Sequence, residues 1–277
     1  MNNFFGKIVV AAGGTGGHVF PAYSLAKHFA ENKINVEIIS DKRGIKYLKD
    51  YQDLKITLIP SSTIFNKKIF KSFFSIIIVL YSILKSFLFL LKNRPNLVFG
   101  MGGYSSFPVC IASKILRIPF IIYENNLYIG KANKYLLPFA KKIFVSQKEL
   151  EGVAEKYKKK TNVIGNIIRK EIINFEIKPD LNEKFETLKI LILGGSQAAK
   201  VFAEKLPEIF KKCKEQEISL KIYQQCLPEQ NKLLSSFYKN SNIDFEIFNF
   251  TNNILDYFSK INLAITRSGS SMLAELI

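Results

Sequence analysis

The sequence predicts an α/β protein with two doubly wound parallel sheets, and three observations carry that expectation. Short, continuously apolar runs recur along the chain between longer helix-like stretches. Continuous rather than alternating hydrophobicity marks strands buried on both faces, as in parallel sheets covered by crossover helices. Glycine-rich loops follow three of these runs, where a strand hands over to a helix. The series is broken once, near 166–187, by a polar stretch carrying Pro179, Asp180 and Asn182.

The first series is KIVVAA (7–12), NVEIIS (35–40), LKITLI (54–59), NLVFGM (96–101), PFIIYE (119–124), KIFVS (142–146) and NVIG (162–165). The second is LKILIL (188–193), ISLKIY (218–223), IDFEIF (243–248) and INLAIT (261–266). Strand–helix alternation of this kind builds Rossmann-like units. The expected organisation is a first domain over 1–166, a linker over 167–187 and a second domain over 188–277. The second is expected to be truncated, because SGSSMLAELI opens a helix and its apolar pattern runs uncapped to Ile277.

Composition excludes disorder, with 48% hydrophobic and 23% charged residues among 277. The formal net charge is +17. Residues 1–160 hold 25 Lys/Arg against 9 Asp/Glu, and residues 161–277 hold 15 against 14. A general composition bias would act evenly, so the first domain is expected to face an anionic partner: nucleic acid, an anionic membrane or a phosphorylated ligand. Nucleic acid is not expected, because no recognition motif or aromatic-basic platform is present. Three widely spaced cysteines argue against a disulfide framework and for a reducing cytosol. Two histidines exclude a multi-His metal site. No signal peptide is expected, since the N-terminal apolar run is short and enters a glycine turn.

Residues 72–91, SFFSIIIVLYSILKSFLFLL, have the length of a membrane span. A span would carry Lys85 near its middle, costing about 2.5–3.5 kcal/mol, and would put the flanking strands on opposite sides of a bilayer. The expectation is a crossover helix with one face in the core and the other exposed to lipid. Flanking Lys67, Lys68, Lys71, Lys92 and Arg94 suit an interfacial contact.

The first glycine loop is Gly13-Gly14-Thr15-Gly16-Gly17-His18. Its glycines allow close approach of a ligand, and the following helix offers N–H groups to phosphate. It is neither G-x-G-x-x-G nor a Walker loop, since Val19 fills the last glycine position and no Gly-Lys-Ser/Thr follows. The same failed spacing argues against Asp41 as a dinucleotide-ribose acid. The second loop is Gly100-Met101-Gly102-Gly103-Tyr104-Ser105-Ser106, and the third is Gly194-Gly195-Ser196-Gln197. Such loops at the carboxyl ends of parallel strands in two domains suggest a cleft with a phosphate-rich ligand.

Six segments, in order along the chain, resemble the MurG family of bacterial UDP-N-acetylglucosamine-dependent transferases: GGTGGHVFPA (13–22), GMGGY (100–104), ENN (124–126), VIGNIIR (163–169), ILILGGSQAA (190–199) and TRSGSSMLAEL (266–276). The resemblance implies a GT-B fold and transfer of N-acetylglucosamine from UDP-GlcNAc to the 4-hydroxyl of lipid I, giving lipid II with inversion. It implies a peripheral enzyme on the cytoplasmic face of the inner membrane. Cofactors are not implied, and metal ligands are not either; the chain has no Asp-x-Asp motif.

Residue by residue, the resemblance puts Thr15, Gly16, Gly17 and Asn126 at the donor sugar, and Arg169 in the matching arginine position. Ser196, with Gln197 beside it, would contact the donor nucleotide. Thr251 would lie at the uracil. Ser270, Ser271, Met272, Leu273, Ala274 and Glu275 would hold the diphosphate and ribose, with Glu275 accepting from the ribose hydroxyls. Gly14, Gly102, Gly103 and Tyr104 are the candidates for the acceptor diphosphate. His18 and Glu124 are the candidate bases; a helix N-terminus disfavours imidazolium, leaving a neutral base. The family usually has His before this Glu and Gln after it, where this chain has Tyr123 and Asn125. The alternatives are another UDP-sugar:lipid transferase, or a truncated, non-catalytic, membrane-bound chain.

Overall fold

The computed structural model describes residues 6–51, 53–62, 69–176, 186–195, 200–251 and 253–277, with backbone only for 69–73. The chain forms two compact units, Met1–Arg169 and Lys170–Ile277.

In the first unit the elements run Ile8–Ala11 (β1), Gly16–Glu31 (α1), Val36–Ser40 (β2), Lys55–Leu58 (β3), Ile69–Asn93 (α2), Leu97–Gly100 (β4), Gly103–Ile115 (α3), Phe120–Glu124 (β5), Lys131–Leu136 (α4), Lys142–Val145 (β6) and Thr161–Val163 (β7). All seven strands are parallel, in the order β3-β2-β1-β4-β5-β6-β7. Successive strand residues alternate between two cores, as the pleat requires. Val9 and Ala11 join Leu90 of α2 and Val109, Cys110 and Ala112 of α3. Ile8 and Val10 join Val19, Ala22, Tyr23 and Ala26 of α1. Both faces of β1 are therefore dry, which is why its sequence is continuously apolar.

The second unit contains Lys170–Ile173 (α5), Leu188–Leu193 (β8), Lys200–Glu215 (α6), Leu220–Gln225 (β9), Asn231–Asn240 (α7), Asp244–Phe248 (β10), Leu255–Phe258 (α8), Leu263–Thr266 (β11) and Ser270–Leu276 (α9). Its parallel sheet has the order β10-β9-β8-β11. The fold class is the expected one, two Rossmann-like parallel sheets. The division falls inside the expected linker, because Ile172 and Phe175 pack against Leu191 and Leu193 of the second unit.

Helix α2 leads from β3 to β4 of one sheet, as a crossover does and a bilayer-spanning helix between them would not. It is nevertheless long and apolar enough over Phe74–Asn93 to cross a membrane. Its polarity is inverted relative to an ordinary surface helix. Ser75, Val79, Ser82, Ser86 and Leu90, at three- and four-residue spacing, form the buried stripe. Phe74, Ile77, Leu80, Tyr81, Leu84 and Leu88 are exposed. The small serines let α2 lie close on α3, and Ser82 and Ser86 satisfy their hydroxyls on the carbonyls of Ile78 (2.6 Å) and Ser82 (2.7 Å). Lys85, the lone charge of the stretch, lies 5.1 Å from the Tyr81 ring centre on the exposed side.

This inversion predicts opposite outcomes for two substitutions two residues apart. Ser82→Leu should overpack the buried stripe and lower unfolding free energy by about 1–3 kcal/mol. Leu84→Ser, on the exposed face, should change it by less than about 0.5 kcal/mol. Urea unfolding of both variants checks this; equal losses would contradict the assignment of faces.

Candidate functional site

In the first sheet β1 has β2 on one side and β4 on the other, so the chain leaves β1 and β4 in opposite directions. The crevice above such a switch point is where open α/β sheets bind ligands. Ala11 pairs with Gly100, which puts the first and second glycine loops side by side. Gly100 itself is required by packing, since a Cβ there would lie 2.6 Å from the buried Cys110 Sγ.

The two loops close on His18, in the first turn of α1. A Cβ at Gly102 would stand 3.0 Å from His18 Cε1, and one at Gly103 would stand 3.3 Å from its Cδ2. Both glycines have positive φ, 83° and 73°. The second loop is thus the floor under the imidazole. The His18 Nδ1 is buried and makes no hydrogen bond of standard geometry, with the Met101 backbone nearby. Burial lowers the pKa of His18, against a weaker upward pull from the Glu124 carboxylate. The ring is therefore neutral at pH 7.

Thr15 is the extended N-cap residue of α1, and its carbonyl accepts from the His18 and Val19 N–H groups. Gly16 is buried, and Gly17 is tied across the site, its carbonyl accepting from Asn125 Nδ2 at 3.1 Å. Tyr104 sits in the first turn of α3.

Glu124, at the end of β5, is buried, and its carboxylate is fully engaged. Oε1 accepts from the Asn126 backbone (3.1 Å) and Asn126 Nδ2 (2.7 Å). Oε2 accepts from the Gly130 backbone (2.8 Å) and Asn133 Nδ2 (3.0 Å). Those bonds shape the 125–133 turn and fix Asn126, which is exposed with its carbonyl end unused by Glu124. Of the two candidate bases, Glu124 has both carboxylate oxygens taken up by the turn, whereas His18 keeps a buried Nδ1 without a hydrogen bond of standard geometry. Arg169 is buried, with its guanidinium 4.8 Å from the Phe20 ring centre of α1. Its segment is anchored by the Tyr123 hydroxyl, which donates to the Gly165 carbonyl and accepts from the Ile167 N–H, each at 3.2 Å.

In the second unit Thr266 pairs with Leu193, and its Oγ1 donates to the Leu193 carbonyl at 3.1 Å. This sets the start of α9, with Ser270, Ser271, Met272, Leu273, Ala274 and Glu275, beside the Gly194-Gly195 loop. Met272 packs into the core below. Thr251 Oγ1 accepts from the Asn253 N–H at 3.0 Å in a local turn. Ser196 and Gln197 lie outside the described residues.

Sequence reasoning missed Asn125 and Asn133, which bind loops together through side chains that no local pattern marks. It weighed Asp41 only as a dinucleotide-ribose acid and argued against that role. Asp41 is 3% exposed, and its Oδ1 accepts from the backbones of Gly14 and Gly44, each at 2.8 Å.

Residues 8–145 match the glycosyltransferase family 28 N-terminal domain, and residues 189–277 match the glycosyltransferase family 28 C-terminal domain. The chain is 36% identical to the Pelagibacter ubique UDP-N-acetylglucosamine–N-acetylmuramyl-(pentapeptide) pyrophosphoryl-undecaprenol N-acetylglucosamine transferase, over 98% of this chain and 74% of that one. It is 35% identical to the protein of the same name from Rickettsia bellii, over 98% and 75%. Its fold resembles the crystal structure of Acinetobacter baumannii MurG, with TM-score 0.67 and 25% identity, over 98% of this chain and 74% of that one.

The depressed His18 pKa has a consequence for stability. Between the lowered folded value and about 6.5, the unfolded chain binds a proton that the folded chain refuses. This group therefore lowers stability as pH falls below about 6.5, and the loss levels off once the folded state also protonates. Unfolding free energy measured from pH 7.5 to pH 5 should fall more steeply for the native chain than for His18→Asn; parallel curves would contradict a buried neutral imidazole.

Proposed function

This chain belongs to glycosyltransferase family 28 and, within it, to the MurG family, and from that membership we propose how its residues carry the reaction. The function is transfer of N-acetylglucosamine from UDP-GlcNAc to the lipid-linked N-acetylmuramyl acceptor, lipid I, giving lipid II for peptidoglycan synthesis. The observation that supports the mechanism is the neutral His18 imidazole seated on the Gly102-Gly103 backbone at the switch point.

His18 takes the proton from the acceptor 4-hydroxyl as that oxygen attacks C1 of the sugar. The new O4–C1 bond forms on the face opposite the diphosphate, the C1–O bond to UDP breaks, and UDP leaves with the electron pair. Asn126, held by Glu124, presents its amide to the donor sugar beside Thr15, Gly16 and Gly17. Backbone N–H groups at the start of α9 meet the charge developing on UDP, and the resemblance assigns Ser196 and Gln197 to the donor nucleotide. Glu275 accepts from the ribose hydroxyls, and Thr251 lies at the uracil. Gly14, Gly102, Gly103 and Tyr104 line the acceptor diphosphate, and Arg169 supports α1 from behind through Phe20.

The membrane is the second partner in this reading. Exposed apolar side chains of α2, on the domain that carries the excess positive charge, suit a protein lying on an anionic cytoplasmic leaflet to reach a prenyl-linked substrate.

Two measurements test these assignments. His18→Ala should lower kcat by about 10²-fold or more with UDP-GlcNAc affinity unchanged; near-normal kcat would remove His18 as the base. Replacing Leu84 and Leu88 together by Ser should weaken binding to vesicles containing anionic phospholipid by at least about tenfold, from the apolar area lost, with the fold intact by circular dichroism. Unchanged vesicle binding would refute the α2 contact.

A further inference from the structure

The Asp41 carboxylate gathers three strand ends. Its Oδ1 takes the N–H groups of Gly14, after β1, and Gly44, after β2. Its Oδ2 takes the hydroxyl of Ser61, after β3, at 2.6 Å. Burial opposes ionisation, but the bonds from Ser61, Gly14 and Gly44 and the Arg43 charge outweigh it and hold the pKa below the ordinary carboxylate value. Asp41 is therefore a fixed anion, and what it fixes besides backbone is a guanidinium. Arg43 Nε and Nη2 each lie 3.2 Å from Oδ2.

Both contacts use one edge of the guanidinium, so the Nη1 end points away from the carboxylate. The side chain is 55% exposed and lies beside the first glycine loop: a Cβ at Gly14 would stand 3.6 Å from Arg43 Nη2. Gly14 has φ 82°, the conformation that lets a backbone approach a ligand without a side chain between them. An arginine pinned on one edge and open on the other is preorganised for a phosphate oxygen pair, because its planar fork matches that geometry where a lysine offers only a point charge. Near the same turn, Ser105 Oγ is buried without a hydrogen-bond partner, and a Cβ at Gly13 would lie 2.4 Å from it.

We infer that Arg43 is a diphosphate-binding residue for the lipid-linked acceptor and that Asp41 is the positioning residue that aims it. The inference rests on the reading that Gly14 belongs to the acceptor diphosphate site. It adds a cation to a site otherwise built from Gly14, Gly102, Gly103 and Tyr104.

The test is calorimetric titration of the full chain with farnesyl diphosphate, farnesyl monophosphate and UDP-GlcNAc. Arg43 is exposed, so Arg43→Ala should keep its unfolding midpoint. It should weaken farnesyl diphosphate binding by about tenfold or more, the loss of one charge-assisted bidentate contact, and weaken the monophosphate less. Arg43→Lys should recover part of the loss. Asp41→Asn should weaken diphosphate binding alone but add little further loss in the Arg43→Ala background, since the two act as one unit. A merely structural Asp41 would give additive losses and would also weaken UDP-GlcNAc. Unchanged diphosphate affinity in Arg43→Ala, or a loss confined to UDP-GlcNAc, would overturn the inference and leave the transferase reading standing. A native chain that binds UDP-GlcNAc but no farnesyl diphosphate would overturn the acceptor-site reading and this inference together.

Discussion

Gly13 has no room for a side chain. A Cβ there would stand 2.4 Å from Ser105 Oγ and 2.5 Å from Asp41 Oδ1, and one at Gly44 would stand 2.9 Å from the Gly13 Cα. The loops after β1 and β2 and the first turn of α3 meet at this point, and everything above them is positioned by that contact. With the loops this close, Asp41 reaches Gly14, and His18 reaches the Gly102-Gly103 pair. Glycine at 13 is a packing requirement first, and ligand access follows from it.

Three buried carboxylates of the first unit act as fasteners. Asp41 binds the β1, β2 and β3 exits together, and Glu124 binds the turn from Asn126 to Asn133. Each has its oxygens occupied by donors, which keeps a buried anion tolerable. Glu37 does the same at the amino ends of the strands, taking Lys7 at 2.6 Å and Thr57 at 2.6 Å. The His18 imidazole, by contrast, is held neutral by burial, and its Nδ1 makes no hydrogen bond of standard geometry.

The strands were legible because burial on both faces writes itself into the sequence as uninterrupted apolar runs. Each of the eleven runs overlaps a strand, from Ile8–Ala11 to Leu263–Thr266. The glycine loops were legible as turns, and their order along the chain carried the family resemblance. The orientation of α2 was harder to read, since its buried stripe is mostly serine and hydrophobicity alone points the wrong way. Long-range side-chain bonds left no local mark. Asn125 reaches Gly17 across 108 positions, and Tyr123 reaches Gly165 across 42. Asp41 stood in view after β2, but only the folded loops show that its oxygens are spent on backbone and on Arg43.

The exposed face of α2 also governs how the molecule behaves in plain buffer. Phe74, Leu80, Leu84 and Leu88 are each more than half exposed and lie on one side of a single helix. In plain buffer two such faces are each other's nearest apolar surface, and a contiguous patch of this kind drives self-association. Positive charge on the same unit opposes that association at low ionic strength and is screened within about 10 Å at 0.1 M salt. Colloidal stability of the protein is thus a balance between an apolar patch and like charge on one unit, and added salt tips that balance toward association.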